Sequence, residues 1–461
     1  MSVSASNGAH TALLVNERQW KDTDNMKDVA EYAVKTVNGK INGLCVVPGS
    51  KSMTNRALLL AALSEEECEL EGVLFSDDSR HFLGCLESLG FSMTVDEEKK
   101  KVRLKGEGGR IPNNHARIDV GSAGTAARFL TAMLALSGGS YEIECSEQMK
   151  KRPMAELFEL LEGVGASFEY LGEQGHLPVK VQGIKPEGEL NLSLNIGRST
   201  QYLSAMLMMA AGRKYDTNIC ITSEKKDGSY IRITRNMLKE FGVNVEFDGE
   251  NYRVAGGQKL HIGSYYIEPD VSAACYFYGI AAITGGCVTV KNVFSNTTQG
   301  DWKFIEALGR LGCTITETRE GTCVTGPDGG VYDGMDLDMN DFSDQALTMA
   351  VIMAFAKTAS RIRNIGHIRG QECNRMAAIV NELGKCGVSC VEEGDDISIR
   401  PDATKMHGAD IETYEDHRVA MAFSLLGLKL DGVKILDPMC CAKTFENYFE
   451  CLDALLLQNG Y

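Results

Sequence analysis

The sequence has 461 residues, with 47 Lys and Arg against 63 Asp and Glu and a formal net charge of −16. Apolar residues at 44% and charged residues at 24% are ordinary for a globular chain with room for two or three domains. This negative balance excludes a protein that grips nucleic acid or an anionic membrane through its overall field, yet it allows a small cationic pocket. In chain order, residues 1–28 mix charges of both signs, include Glu17, Asp22 and Asp24, and show no secretory apolar stretch. They read as an N-terminal extension. The longest apolar runs, 57–63 and 349–356, fall short of the roughly 20 residues a membrane span needs. Fifteen cysteines with no C-x-x-C pair and no zinc-like spacing to the eight histidines read as reduced, buried thiols of a cytoplasmic protein without a metal site.

The first clear element, LCVVPGSKSMTNRALLLAAL, reads as a strand, a Pro-Gly turn and a helix starting near Ser52. From there a unit recurs: an amphipathic helix, a glycine, a strand, a turn and another strand. The helix ends read LESLG, LLEGVG, LKEFG, LGRLG and NELGKCG, closing on Gly90, Gly165, Gly242, Gly312 and Gly387 at spacings of 75, 77, 70 and 75 residues. Glycine suits the position after a helix because it enters the left-handed region without a Cβ penalty. Alternating segments such as VNVEFDGENYRV follow with strand period and a turn signal. A sixth helix over 445–457 has no strand after it. Five complete units and a truncated one predict six small α/β subdomains, the last completed by an N-terminal strand.

Several helix starts are built to hold anions. Ser50, Lys51 and Ser52 stand at the first, with backbone N–H groups suited to a phosphate or carboxylate. Gly121, Gly124, Thr125 and Arg128 open a second, and KKRPMAEL places Arg152 at a third, with Pro153 suited to its first turn. Arg369, Arg375, Arg418 and Lys443 add further cations. Each could be a solvated surface charge, but their recurrence in an acidic chain points to one shared anion site. Asp344 reads as a helix N-cap or a functional carboxylate, and Glu372, between Arg369 and Arg375, as an ion-pair partner or a proton-transfer group.

Taken together, PGSKSMTNR, SDDSRHFLGCLESLG, GSAGTAARFLTAM, MKKRP, STQYLSAMLM, SDQALTMAV, RGQECNR, DHRVAMAFSL and KTF resemble the EPSP (5-enolpyruvylshikimate-3-phosphate) synthase family of enolpyruvyl transferases, in order, from about Val37 to Leu455. The resemblance implies an α/β fold, the two-domain inverse α/β prism. It has six βαβαββ subdomain repeats and an active site in the interdomain cleft. It implies one domain of residues 29–47 plus 269–461 and a second of 48–268. It further implies transfer of the enolpyruvyl (carboxyvinyl) group of phosphoenolpyruvate to the 5-hydroxyl of shikimate 3-phosphate, with no cofactor, in a protein expected to be monomeric. On that resemblance Lys51, Gly124, Arg152, Gln201, Arg375, Arg418 and Lys443 hold phosphoenolpyruvate. Ser52, Arg56, Ser199, Thr200, Tyr230, Asp344 and the position of Gln371 hold the acceptor. Asp344 takes the hydroxyl proton, and Glu372 and Lys51 stand where the family's proton donor is placed.

The departures gather at the acceptor's phosphate. A family serine in S-x-P-Y is Asp227 here, and a family lysine in R-x-K-E is Gln371. A carboxylate repels phosphate and a lost lysine removes attraction, each on the order of 1–3 kcal/mol in a partly dry pocket. Arg232, where the family usually has aspartate, could compensate. Ser122, Phe129, Gln148, Asn374 and His367 are smaller changes. An enolpyruvyl transferase using a different hydroxyl acceptor therefore stays open as the alternative, as does a non-catalytic binding protein.

Overall fold

The computed structural model describes residues 30–461, so the extension expected over 1–28 lies outside the described residues. The helices Asp77–Ser88, Ala155–Gly163, Ser229–Glu240, Trp302–Arg310 and Arg375–Lys385 are each followed, two residues on, by Gly90, Gly165, Gly242, Gly312 or Gly387. Those glycines have φ of 87, 105, 87, 102 and 79°. All five occupy the left-handed region, which a Cβ would strain. The chain then turns back as an antiparallel hairpin, such as Val245–Phe247 against Asn251–Val254.

Each unit closes a small sheet. In the one made of His115–Asp119, Ser140–Glu144, Val179–Gln182 and Ser167–Tyr170, the first two strands are parallel and the others form an outer hairpin. Among the described residues, five sheets of four strands and one of three recur with this logic. Two are completed from a distance: Ser264–Tyr266 pairs parallel with Glu67–Glu71, and Asn42–Cys45 pairs parallel with Cys287–Lys291. The truncated last unit, Asp410–Ile411 and Lys434–Leu436, takes Glu31–Ala33 as its antiparallel third strand.

Buried apolar side chains form two clusters, one running from Met53 to Ile267 and the other combining Val34–Val47 with Val271–Leu456. The chain passes between them twice. The two passages are tied together where Ser50 N donates to the Glu268 carbonyl and Asp270 N to the Pro48 carbonyl, both at 2.8 Å. The result is the two-domain α/β prism. Three helices in each domain are buried on nearly all sides: Lys51–Leu63, Gly124–Ala135 and Gln201–Ala210 in one, Val271–Thr284, Ala346–Ala354 and His417–Gly427 in the other.

The cysteines depart from expectation. Cys287 and Cys323 are joined in a disulfide. They lie on adjacent antiparallel strands, where the register sets Cys287 opposite Thr325 and Thr289 opposite Cys323. A separation of 36 residues hides that diagonal neighbourhood in the sequence. Among the other thirteen, Cys220 is exposed and Cys145, Cys373, Cys390, Cys440 and Cys451 are only half-buried. Among the described residues no helix is long and apolar enough to cross a membrane, and no group of His, Cys, Asp and Glu could hold a metal ion.

Candidate active site

A cleft of about 790 Å³ lies between the two apolar clusters. Residues at the starts of all six buried helices line it, among them Lys51, Gly124, Gln201, Ser272, Asp344 and His417. Each start brings the positive end of a helix dipole to the cleft, although side chains already cap some first-turn N–H groups, such as Lys51 N on Asp270 and Arg418 N on Asp416.

The cations come next. Arg375 is 2% exposed, and its Nε and Nη2 reach the two oxygens of the buried Asp416 at 2.7 and 3.2 Å. This bidentate fork leaves Nη1 for Asp344, at 3.0 Å, and for the side-chain oxygen of Gln371. Arg418 Nη2 meets Asp344 at 3.0 Å. Arg152 and Lys443 lie 3.2 and 3.6 Å from Glu372, and Lys51 lies 3.3 Å from the buried Asp78. Of the sequence-expected residues, Lys51, Ser52, Arg56, Gly124, Arg152, Ser199, Thr200, Gln201, Tyr230, Asp344, Gln371, Glu372, Arg375 and Arg418 line the one cleft. Lys443 reaches it through its contact with Glu372. Gly124 allows a close approach: a Cβ there would stand 2.6 Å from Arg152 Nη1 and 2.7 Å from Arg128 Nη1, so those guanidinium ends would have to move.

Two carboxylates sit among these cations, Asp344 at 14% and Glu372 at 10% exposure. Burial alone would raise both pKa values, but the neighbours override it. Arg418, Arg375, the Tyr230 hydroxyl and Lys51 hold Asp344 below the usual range. Arg152, Lys443, Lys51 and Arg375 hold Glu372 well below it. Burial, then Asp344 and Asp301, push Tyr230 well above an ordinary phenol. Arg56 is fully enclosed by Thr234 Oγ1 at 2.7 Å, the Ser52 carbonyl at 2.8 Å and Ser204 Oγ at 3.2 Å. Burial lowers its pKa to about 10.

Several readings from sequence change here. Asp344 does not cap a helix: it lies in the turn Ser343–Gln345 before Ala346–Ala354, and its oxygens serve Arg375, Arg418 and Tyr230. Pro153 precedes the helix Ala155–Gly163 and is not in its first turn. Arg369 turns away from the cleft to Glu392 and Asp395, both at 2.9 Å. Asp227, placed by resemblance at the acceptor's phosphate, does not line the cleft either. Its carboxylate pairs with Arg232 at 3.1 Å and accepts from the Tyr252 hydroxyl at 3.0 Å.

Arg128, read from sequence at an anion-holding helix start, belongs to the site, and two further residues, His417 and Asp301, escaped that reading. Arg128 is buried with its Nη1 on the Gly124 carbonyl at 3.0 Å. Burial and then Arg152 lower its pKa to about 10. His417, 1% exposed, lines the cleft with neither ring nitrogen hydrogen-bonded. Burial, followed by Lys51 and Arg418, keeps it neutral. Asp301, held by Gln345 at 3.1 Å, also lines the cleft. The positions of His417 and Asp301, beside Arg418 and Trp302, carried no separate signal, since a buried polar residue next to an apolar helix looks the same whether it packs or binds.

Comparison with known proteins converges on one family. Residues 35–452 match the family described as EPSP synthase (3-phosphoshikimate 1-carboxyvinyltransferase). The 3-phosphoshikimate 1-carboxyvinyltransferase of Trichormus variabilis is 40% identical over 418 residues, covering 90% of this chain and 97% of its own. That of Salmonella schwarzengrund is 39% identical over 431 residues, covering 93% and 98%. The EPSP synthase structure from Acinetobacter baumannii shares the fold, with a TM-score of 0.77 at 24% identity over 93% of this chain and 98% of that one. With a six-unit prism, a cationic cleft and relatives matched end to end, the chain belongs to the EPSP synthase family.

Proposed function

We propose that the protein transfers the enolpyruvyl group of phosphoenolpyruvate to the 5-hydroxyl of shikimate 3-phosphate and releases phosphate. The observation that carries this reading is the convergence of Arg152, Arg375, Arg418 and Lys443 on two nearly buried carboxylates in one cleft, with Lys51 beside Asp78 on its wall. Two polyanions that must meet need such a field, and guanidinium forks match carboxylate and phosphate oxygens. On this reading residues 48–268 form one domain and 29–47 with 269–461 the other, a division supported by the two apolar clusters.

Lys51, Gly124, Arg152, Gln201, Arg375, Arg418 and Lys443 then bind phosphoenolpyruvate, and Ser52, Arg56, Ser199, Thr200 and Tyr230 bind the acceptor. Asp344, kept ionised by Arg418 and Arg375, takes the proton of the attacking hydroxyl. The methylene of the enol must gain a proton. Glu372 is a poor acid in the free cleft, because Arg152 and Lys443 hold it ionised. Bound phosphoenolpyruvate neutralises those same cations, so Glu372 recovers proton affinity when its substrate arrives. Lys51, paired with Asp78, lowers the pKa of both carboxylates. The tetrahedral adduct then returns a methyl proton to the Glu372 carboxylate as its C–O bond to phosphate breaks, which restores the carbon–carbon double bond, and the charge growing on the leaving phosphate faces the arginines and helix starts.

The direct test is phosphate release from phosphoenolpyruvate with shikimate 3-phosphate as acceptor. Turnover that requires both substrates supports the reading. Binding of phosphoenolpyruvate without any turnover on this acceptor would overturn it.

A further inference from the structure

The acceptor end of the cleft poses a charge problem that the family's usual residues do not solve here. Gln371 is neutral, and its side-chain oxygen already accepts from Arg375. Asp227 is paired with Arg232 and accepts from the Tyr252 hydroxyl. If the acceptor carries a phosphomonoester, a dianion at neutral pH, some other cation must meet it.

We propose that Lys225 is that cation, so that this protein holds the acceptor's phosphate from the loop after the strand Thr217–Ile221. The inference rests on the function proposed above and adds to it the residue that makes the enzyme choose a phosphorylated acceptor. Lys225 is half-buried and lines the cleft. Its Nζ and the Thr200 methyl lie 3.9 and 3.5 Å from the point where a Cβ on Gly228 would stand, so the glycine brings lysine and acceptor loop side by side. The loop is pinned there. Ser223 Oγ accepts from Ile196 N at 3.1 Å and donates to the Lys225 carbonyl at 2.9 Å, tying this turn to the segment that carries Ser199 and Thr200.

The ammonium is available. Its partner is the neutral side-chain oxygen of Asn340, at 3.1 Å, and among the described residues it makes no ion pair. The nearby carboxylate Asp341 is taken by Lys303 at 2.6 Å and Arg232 at 3.5 Å. The adjacent Lys226 points elsewhere, to the Ile221 carbonyl at 2.7 Å. Burial lowers the pKa of Lys225 against the opposing pull of Asp341 and Asp227, and a bound dianion would add to that pull.

The test compares the full-length protein with Lys225→Met, using calorimetric binding of shikimate 3-phosphate and of unphosphorylated shikimate, and steady-state KM for phosphoenolpyruvate. A charge-assisted contact predicts on the order of 10- to 100-fold weaker shikimate 3-phosphate binding. Shikimate binding and the KM for phosphoenolpyruvate should change by less than about threefold, which also shows that the variant is folded. Lys225→Arg should retain most of the affinity, and Gln371→Lys should restore part of it in the Lys225→Met protein, from the opposite wall. Unchanged shikimate 3-phosphate binding, or equal loss for both acceptors, overturns the proposal. A parent protein that binds and turns over neither acceptor overturns the proposed function itself, and Lys225's role with it.

Discussion

Glu372 shows how one side chain can serve both the empty and the loaded cleft. With no ligand it is the counter-ion of Arg152 and Lys443, so it competes with phosphoenolpyruvate for both. Glu372→Gln keeps the shape while removing the charge and the transferable proton. The kcat for phosphate release should fall by about 10²–10⁴-fold, the usual range for a lost general acid, with a KM for phosphoenolpyruvate unchanged or lower. A kcat within threefold of the parent would place the proton donor elsewhere. Gly124 makes the opposite kind of case, a residue that acts by having no side chain. Gly124→Ala sets a methyl 2.6 Å from Arg152 Nη1, so the guanidinium must shift. A displacement of that size should raise the KM for phosphoenolpyruvate on the order of tenfold and leave that for the acceptor nearly unchanged, as initial-rate kinetics in both substrates would show.

The element scale is where the sequence was most readable. Five glycines at near-equal spacing marked five helix ends because only glycine accepts φ near 90° without cost, and that constraint is local. The claim can be tested within one helix. Gly165 has φ 105°, whereas Gly163, the last residue of Ala155–Gly163, has open space at its Cβ position and no positive φ. Gly165→Ala should lower the apparent melting midpoint, through a strain of about 1–2 kcal/mol. Gly163→Ala should leave it unchanged or raise it, since alanine is the better helix former. Equal shifts in both variants would contradict the assignment. What stayed illegible depended on partners distant in sequence. Asp344 could be read as a cap because Arg375, Arg418 and Tyr230 lie 31, 74 and 114 residues away. Asp227 looked like a phosphate-repelling residue because its hydroxyl partner Tyr252 lies 25 residues on, although Arg232, five residues away, was legible as a compensating charge. The site's chemistry was legible through family motifs, while its geometry required the fold.

At the scale of the whole molecule, stability should follow the buried carboxylates that serve the cleft, and the directions differ among them. Asp344 and Glu372 are held below their ordinary values, so each contributes stability above the carboxylate range that is lost as pH falls through it. Asp301 does the reverse. Burial raises it to about 6, with Arg418 opposing and Asp344 assisting that rise. Between the ordinary value of 3.8 and about 6, the folded protein therefore binds a proton that the unfolded chain has released. Stability from this group is fully present below pH 3.8 and declines as pH rises to about 6, because the charged form must be housed among apolar helices. Asp301→Asn keeps the size and the hydrogen-bonding groups that face Ser272 and Gln345, and does not titrate. The melting midpoint of the parent minus that of the variant should fall steadily from pH 4 to pH 6 and flatten above it. The acid limb set by Asp344 and Glu372 should persist in both proteins. A difference that stays constant across that window would mean Asp301 is ionised throughout, and that Arg418 outweighs the burial of its carboxylate.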